Sequence, residues 1–155
     1  MKNMTKEQNM DILGRMGEKY VTNHLTKQGV VVEQALNHFD MVKDMTADGK
    51  TVEVKTQVPF IMKKAFSFKK YSNNLKKCRS VDDLYFIAVP APKHKFDREG
   101  WLFRIDPKTF RTEEYKTKGG LEMILIPIDQ EAVTPIHKID SEITDEMMKY
   151  TSSDY

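Results

Sequence analysis

This chain of 155 residues has a single cysteine, no long apolar run and little excess of one charge over the other. A single cysteine argues against a disulfide scaffold, and so against the small secreted domains that depend on one. The sequence has no apolar run of membrane length, and its N-terminus, MKNMTKEQNMD, is too polar for a signal peptide, so we expect a cytoplasmic protein without a membrane partner. The net charge is only +2, so overall charge does not identify a nucleic-acid partner.

What remains is the composition of an ordinary globular protein. A hydrophobic fraction of 39% beside 31% charged residues is typical of a soluble domain. The length suits one domain, which we expect to span residues 1–155 with a fraying polar tail from about residue 151.

The clearest predicted helix runs over residues 5–29. Thr5 and Gln8 form a capping-box pattern, and apolar residues then recur at steps of three and four. The stripe consists of Met10, Leu13, Met16, Gly17, Tyr20, Val21, His24 and Leu25. Gly14 and Gly17 each cost a helix on the order of 1 kcal/mol relative to alanine, so we expect both to serve close approach to a sheet. Glu18 flanks the stripe, where it either reaches over that sheet to a metal site or stays an ordinary exposed acid.

A strand that carries charged residues follows a predicted tight turn. Asp48-Gly49 readily adopts the positive φ angles of a hairpin turn. Side chains alternate along the strand that follows, so Glu53, Lys55 and Gln57 share one face while the valines of residues 52–58 point into a core. A half-exposed antiparallel strand with a solvated polar face produces the same pattern.

The acid upstream favours a functional site over that solvated face. Pairing around the turn is expected to place Asp40 somewhat past the residue opposite Glu53, a position from which strand twist and a bend near Asp40 would allow the two carboxylates to meet. Mg²⁺ prefers oxygen ligands and often binds through one or two carboxylates, so Asp40, Glu53 and the carbonyl of Val54 are its predicted ligands. Such an ion makes a bound water more acidic, and Lys55 is placed to orient that water or to stabilise transition-state charge.

Residues 14–18 (GRMGE), Asp40 and residues 53–57 (EVKTQ) together resemble the core of the PD-(D/E)XK nuclease superfamily. Their spacing is most similar to that of small Holliday-junction resolvases with the restriction-endonuclease-like fold. In that family a helix bearing a glutamate precedes a strand, the motif acid opens the next strand, and Glu-x-Lys follows a hairpin. The resemblance covers roughly residues 10 to 90. Phe39 stands where the family's motif has proline.

The resemblance implies a role for each matching residue. Asp40 and Glu53 would be metal ligands for Mg²⁺, with Mn²⁺ expected to substitute. Lys55 would position or activate the attacking water, Glu18 would be an auxiliary acid, and Gln57 would be a supporting group.

A basic segment, residues 63–79, follows the Glu-x-Lys strand and contains seven basic residues, three aromatics and no acid. Its predicted nucleic-acid contacts are Lys63, Lys64, Lys69, Lys70, Tyr71, Lys76, Lys77 and Arg79. Phe66, Phe68 or Tyr71 would stack on unpaired bases, although packing of these aromatics in the core is an equal alternative. Cys78 is expected to be a bystander thiol, and His94 a surface-loop residue.

These patterns predict an α/β protein with a restriction-endonuclease-like core: a mixed sheet of about five strands, flanked by helices and preceded by the long N-terminal helix. Strands are expected at residues 30–32, 84–89, 101–105 and 122–128, besides the Glu-x-Lys strand, and shorter helices at 73–80 and 141–150. The first of these two helices permits parallel pairing between the Glu-x-Lys strand and strand 84–89.

The expected function is that of a Mg²⁺-dependent DNA endonuclease, structure-specific for branched DNA and homodimeric, because two symmetric nicks need two active sites. One alternative is a restriction-type or RNA-directed endonuclease on the same core. The other is a nucleic-acid-binding or inhibitory module that keeps the nuclease fold without turnover.

Overall fold

The computed structural model describes residues 4–34, 45–59, 64–91 and 99–151. In chain order the elements are α1 (Lys6–Lys27), β1 (Val32–Gln34), β2 (Met45–Ala47), β3 (Lys50–Gln57), β4 (Ala65–Lys69), α2 (Asn74–Ser80), β5 (Asp83–Ala88), β6 (Gly100–Ile105), β7 (Glu113–Lys116), β8 (Glu122–Pro127), β9 (Val133–Ile139) and α3 (Ser141–Met148). The α/β class and the long N-terminal helix are confirmed. Within these ranges, no helix is long and apolar enough to cross a membrane.

Helix α1 begins and ends where its sequence signals lie. The Thr5 hydroxyl accepts a hydrogen bond from the Gln8 backbone at 3.1 Å, and the Gln8 side chain accepts one from the Thr5 backbone at 2.9 Å. Beyond the last turn, Gly29 adopts a φ of +82°, which favours glycine and stops the helix. The buried residues are Leu13, Gly17, Val21 and Leu25. Met10, the first residue of the predicted apolar stripe, is 62% exposed and lies outside this buried set.

A six-stranded mixed sheet has the order β1-β2-β3-β5-β6-β9. Strands β1, β2 and β3 pair antiparallel, and positive φ angles at Asp48 and Gly49 form the predicted turn between β2 and β3. The chain then passes through β4 and α2 and enters β5, which pairs parallel to β3 as predicted. Strands β6 and β9 extend the sheet antiparallel.

A second sheet has three strands in the order β4-β8-β7. The prediction of one sheet was therefore wrong: β8, expected as a strand of that sheet, pairs instead with β4 and β7. Between the two sheets lies one core, built largely from aromatic and branched residues such as Phe66, Phe86 and Ile126. A separate core, which includes Val21, Val54 and Met147, joins the opposite face of the large sheet to α1 and α3.

The two glycines of α1 have different surroundings. A Cβ atom added at Gly17 would lie 1.7 Å from Thr56 Oγ1 and 3.0 Å from Thr56 Cβ, so α1 contacts β3 more closely than any side chain allows. No atom of the described residues lies within 4 Å of a Cβ added at Gly14. Close approach is therefore confirmed for Gly17 and wrong for Gly14.

We predict opposite stability changes for alanine at these two positions. Gly17→Ala should lower the free energy of unfolding by about 1–3 kcal/mol, because the methyl group overlaps the half-buried side chain of Thr56 on a central strand. Gly14→Ala should raise it by about 0.5–1 kcal/mol through helix propensity alone. Urea unfolding followed by circular dichroism measures both. Equal stability of the two variants would contradict the close packing of α1 on β3.

Candidate functional site

Strand β3 separates polar from apolar residues as the alternation predicts. Val52 and Val54 enter the core beneath α1, and Thr56 faces Gly17. Glu53 is on the opposite face and is only 1% exposed, because β4 and α2 cover it. The alternative of a solvated polar face is thus wrong at Glu53.

The Glu53 carboxylate lies between two ammonium groups. Lys55 Nζ is 3.4 Å from Glu53 Oε1, and Lys77 Nζ, which comes from α2, is 3.8 Å from Glu53 Oε2. The two lysine side chains are 23% and 21% exposed, so the positive groups lie on the solvent side of a buried negative one. A buried carboxylate needs such partners because an uncompensated charge inside a protein is very costly.

Asn74 orients Lys55. The Lys55 ammonium donates a hydrogen bond of 2.7 Å to Asn74 Oδ1. The Asn74 amide in turn donates to Ser72 Oγ at 3.1 Å, and the Ser72 hydroxyl donates to the Lys69 carbonyl at 2.7 Å. The first residue of α2, supported by the loop that precedes it, thus gives Lys55 a second partner besides Glu53. Sequence reasoning missed Asn74, whose only sequence signal is its place at the start of the predicted helix.

Gln57 attaches β4 to β3. Its amide nitrogen donates to the Ser67 carbonyl at 2.9 Å, and its amide oxygen accepts from the Ser67 backbone nitrogen at 2.7 Å. The Gln57 side chain thereby makes the same pair of hydrogen bonds with β4 that a neighbouring strand would make. These bonds hold β4 beside the polar face of β3. A supporting role in catalysis stays a prediction.

Three residues singled out from the sequence, Asp40, Lys63 and His94, lie outside the described residues. The described β2–β3 ladder ends at Met45 opposite Val52, one residue before Glu53. Glu18 is half-buried on α1, which covers the other face of β3. Its role as an auxiliary acid also stays a prediction.

Glu53 fits a hard divalent cation as one ligand. Its carboxylate is the kind of donor that Mg²⁺ prefers, and Mg²⁺ commonly takes only one or two protein carboxylates and keeps several waters. The side chain of Val54 is buried beneath α1, and its backbone lies in the parallel ladder opposite Tyr85. In the part of the chain that the structure describes, no three acidic, histidine or cysteine side chains converge on one point.

The basic segment divides into exposed and engaged lysines. Lys64, Lys69 and Lys76 are exposed. Lys70 Nζ pairs with Glu114 Oε1 at 2.9 Å, and Lys77 pairs with Glu53. The Arg79 guanidinium stacks 3.8 Å from the centre of the Phe110 ring.

Among the aromatics of that segment, one is available to a ligand. Phe66 is 0% and Phe68 7% exposed, both in the core between the sheets, so of the two alternatives core packing is confirmed for these two residues and stacking on bases is wrong. The Tyr71 side chain is 81% exposed. A hydrogen bond from its hydroxyl to Glu122 raises the pKa of Tyr71 and holds the exposed ring in place.

The chain matches no protein-family model, no curated protein and no solved structure. The function is therefore argued from the site geometry and from the sequence pattern.

We predict that the Cys78 thiol reports on unfolding. Cys78 is fully buried in α2, and burial raises its pKa from 9.0 to about 12. Below pH 9 the native thiol is thus protonated and enclosed, and its labelling by a disulfide reagent should be slow until urea unfolds the protein. Since the folded state holds this proton more tightly, the associated stability is lost as the pH rises from about 9 towards 12. Rapid labelling of the native protein at pH 8 would contradict the packing of α2.

Proposed function

We propose that the protein is a metal-dependent phosphodiesterase with a restriction-endonuclease-like core, which acts as an endonuclease on DNA. The observation that carries the proposal is the buried Glu53 carboxylate 3.4 Å from the Lys55 ammonium, on a strand that directly follows a tight hairpin. The order of elements supports it as well. A helix with Glu18 precedes a strand and the hairpin, and then the chain crosses over to a parallel strand.

Burial of Glu53 favours a functional role over a purely structural one. Two charges removed from water lose hydration, which their mutual attraction often does no more than offset. Apolar residues of similar size would therefore serve the middle of a sheet at least as well. Strongly paired charges inside a fold occur often at functional sites, where a reaction needs them.

In the proposed mechanism Glu53 and Asp40 would hold a Mg²⁺ or Mn²⁺ ion. When bound, this ion would polarise the phosphoryl oxygen and make a coordinated water more acidic. Lys55 is held by Glu53 and Asn74. It donates a hydrogen bond to the attacking water or to the phosphate oxygen on which negative charge develops. Its ammonium group has no lone pair, so it is not a metal ligand.

The nucleic-acid surface is proposed to be the segment that leads from β4 into α2. Lys69, Tyr71 and Lys76 are exposed on it, whereas Asn74 and Lys77 of the same segment contact Lys55 and Glu53. Groups able to contact phosphates and a base thus lie within a few residues of the candidate catalytic groups. DNA is the favoured substrate, and a homodimer would place two such sites on a branched molecule.

We predict that Glu53→Gln and Lys55→Met each reduce cleavage by at least about a hundredfold, because each removes a group that stabilises the transition state. Asp40→Asn should behave like Glu53→Gln. Lys50→Met is the matched control for Lys55→Met, since Lys50 is exposed on the same strand, and it should retain activity. Cleavage is measured on plasmid, branched DNA and RNA, with and without Mg²⁺ or Mn²⁺.

The same assay separates the alternatives. Preferential cleavage of RNA would favour the RNA-directed enzyme. Cleavage of unbranched plasmid DNA at particular sequences would favour the restriction-type enzyme. Tight DNA binding without cleavage of any substrate in either metal would favour the non-catalytic module. Wild-type rates for Glu53→Gln would remove the proposed active site.

We predict separate effects for the exposed lysines and for Tyr71 on nucleic-acid binding. Lys69→Met with Lys76→Met should reduce the slope of log affinity against log salt by roughly 0.7 to 0.9 per lost phosphate contact. Tyr71→Ala should leave that slope unchanged and weaken binding to single-stranded DNA by about 1–3 kcal/mol.

The matched control is the pair Lys19→Met and Lys27→Met, which are exposed on α1 across the sheet from α2. Fluorescence anisotropy over a salt series measures all of these variants. An unchanged slope for the Lys69 and Lys76 variant would place the nucleic acid elsewhere.

A further inference from the structure

We propose that Lys77 is a resident counter-ion of Glu53, which provides positive charge there in the metal-free protein and must leave when a divalent cation binds. The inference rests on the proposed function, since it concerns the same carboxylate. It assigns Lys77 to the control of metal affinity, whereas the sequence pattern placed it among the general phosphate contacts.

Helix α2 places two side chains next to the pair Glu53 and Lys55. Asn74 and Lys77 are three residues apart and therefore on the same helix face. Asn74 accepts a hydrogen bond from Lys55 at 2.7 Å, whereas Lys77 Nζ is 3.8 Å from Glu53 Oε2. The two residues that flank Lys77 point elsewhere: Lys76 is exposed and Cys78 is buried.

The two lysines around Glu53 are not equivalent. Lys55 is held by the neutral oxygen of Asn74 as well as by Glu53, so it keeps a hydrogen bond when the charge on Glu53 is shared with a metal. The contact of Lys77 with Glu53 is an ion pair beyond hydrogen-bonding distance, on a flexible side chain that already reaches solvent. A cation at Glu53 would repel both ammonium groups, and Lys77 is the one able to withdraw.

This arrangement couples metal to substrate. A nucleic-acid phosphate that draws Lys77 outward removes a competing positive charge from Glu53, so it should increase metal affinity. By thermodynamic linkage, bound metal then increases phosphate affinity by the same factor.

The test is Mn²⁺ binding without nucleic acid, measured by calorimetry and by the electron paramagnetic resonance of the unbound ion. Lys77→Met should bind Mn²⁺ at least about tenfold more tightly than the wild type, because a like charge next to the ion is gone. Lys76→Met is the matched control and should not change affinity. Lys77→Arg retains the charge and should also stay close to the wild type.

Glu53→Gln separates the two proposals. If Glu53→Gln binds Mn²⁺ as the wild type does, there is no metal site at Glu53, and the proposed function fails together with this inference. If Glu53→Gln loses binding and Lys77→Met is no tighter than Lys76→Met, only the role of Lys77 is overturned.

Thermal unfolding provides a second readout. Without metal, Lys77→Met should melt below Lys76→Met because buried Glu53 has lost a counter-ion, and saturating Mn²⁺ should remove the difference. A difference that persists in Mn²⁺ would contradict the inference. If Lys77→Met does not fold, Lys77→Gln takes its place in both measurements, since glutamine is neutral and still able to donate a hydrogen bond to Glu53.

Discussion

A carboxylate buried in the middle of a sheet must be surrounded by positive charge and hydrogen-bond donors, and Glu53 imposes this requirement on everything that covers its face of β3. Lys55 meets part of it from the same strand, and Lys77 meets another part from α2. For Lys77 to arrive, α2 must dock over β3, and the preceding loop and β4 must lie alongside. Gln57 provides that attachment through the Ser67 backbone. The position of the whole segment from β4 to α2 is thus linked to one charged residue.

The two faces of β3 make different kinds of contact, apolar packing on one and polar contacts on the other. On the α1 side, Val52 and Val54 pack in an apolar core, and Gly17 lets the helix come close at Thr56. This packing fixes the strand without any charged group. On the other face the side chains of Glu53, Lys55 and Gln57 each contact a different part of the covering segment. A rigid strand with one face reserved for polar contacts is a suitable base for a site that needs exact distances.

Local signals in the sequence predicted the parts of the fold that depend on local interactions. The capping box, the Asp-Gly turn and the alternation along β3 are all found, because each is decided by neighbours a few residues apart. The second sheet was missed because it pairs Phe66 with Ile126, which lie 60 residues apart in the sequence. That pairing also buries Phe66 and Phe68, which the sequence left as candidates for stacking. The roles of Asn74 and Lys77, and the difference between Gly14 and Gly17, depend on how a helix is rotated against the sheet. Helical spacing alone does not determine that rotation.

On the proposed function, the charges around Glu53 give a reason why a metal ion and a nucleic acid would bind this site better together than separately. Among the described residues one carboxylate lies between two ammonium groups, so even with the carboxylate of Asp40 as a second ligand the site would have no excess of negative charge to attract a cation on its own. A phosphate alone would be attracted to the lysines, yet it would approach a buried carboxylate of its own sign. With both ligands present the phosphate pairs with the lysines and the cation with Glu53, so each charge has a partner of opposite sign. On the proposed function, the site would therefore bind its cation most tightly when a phosphodiester is in place.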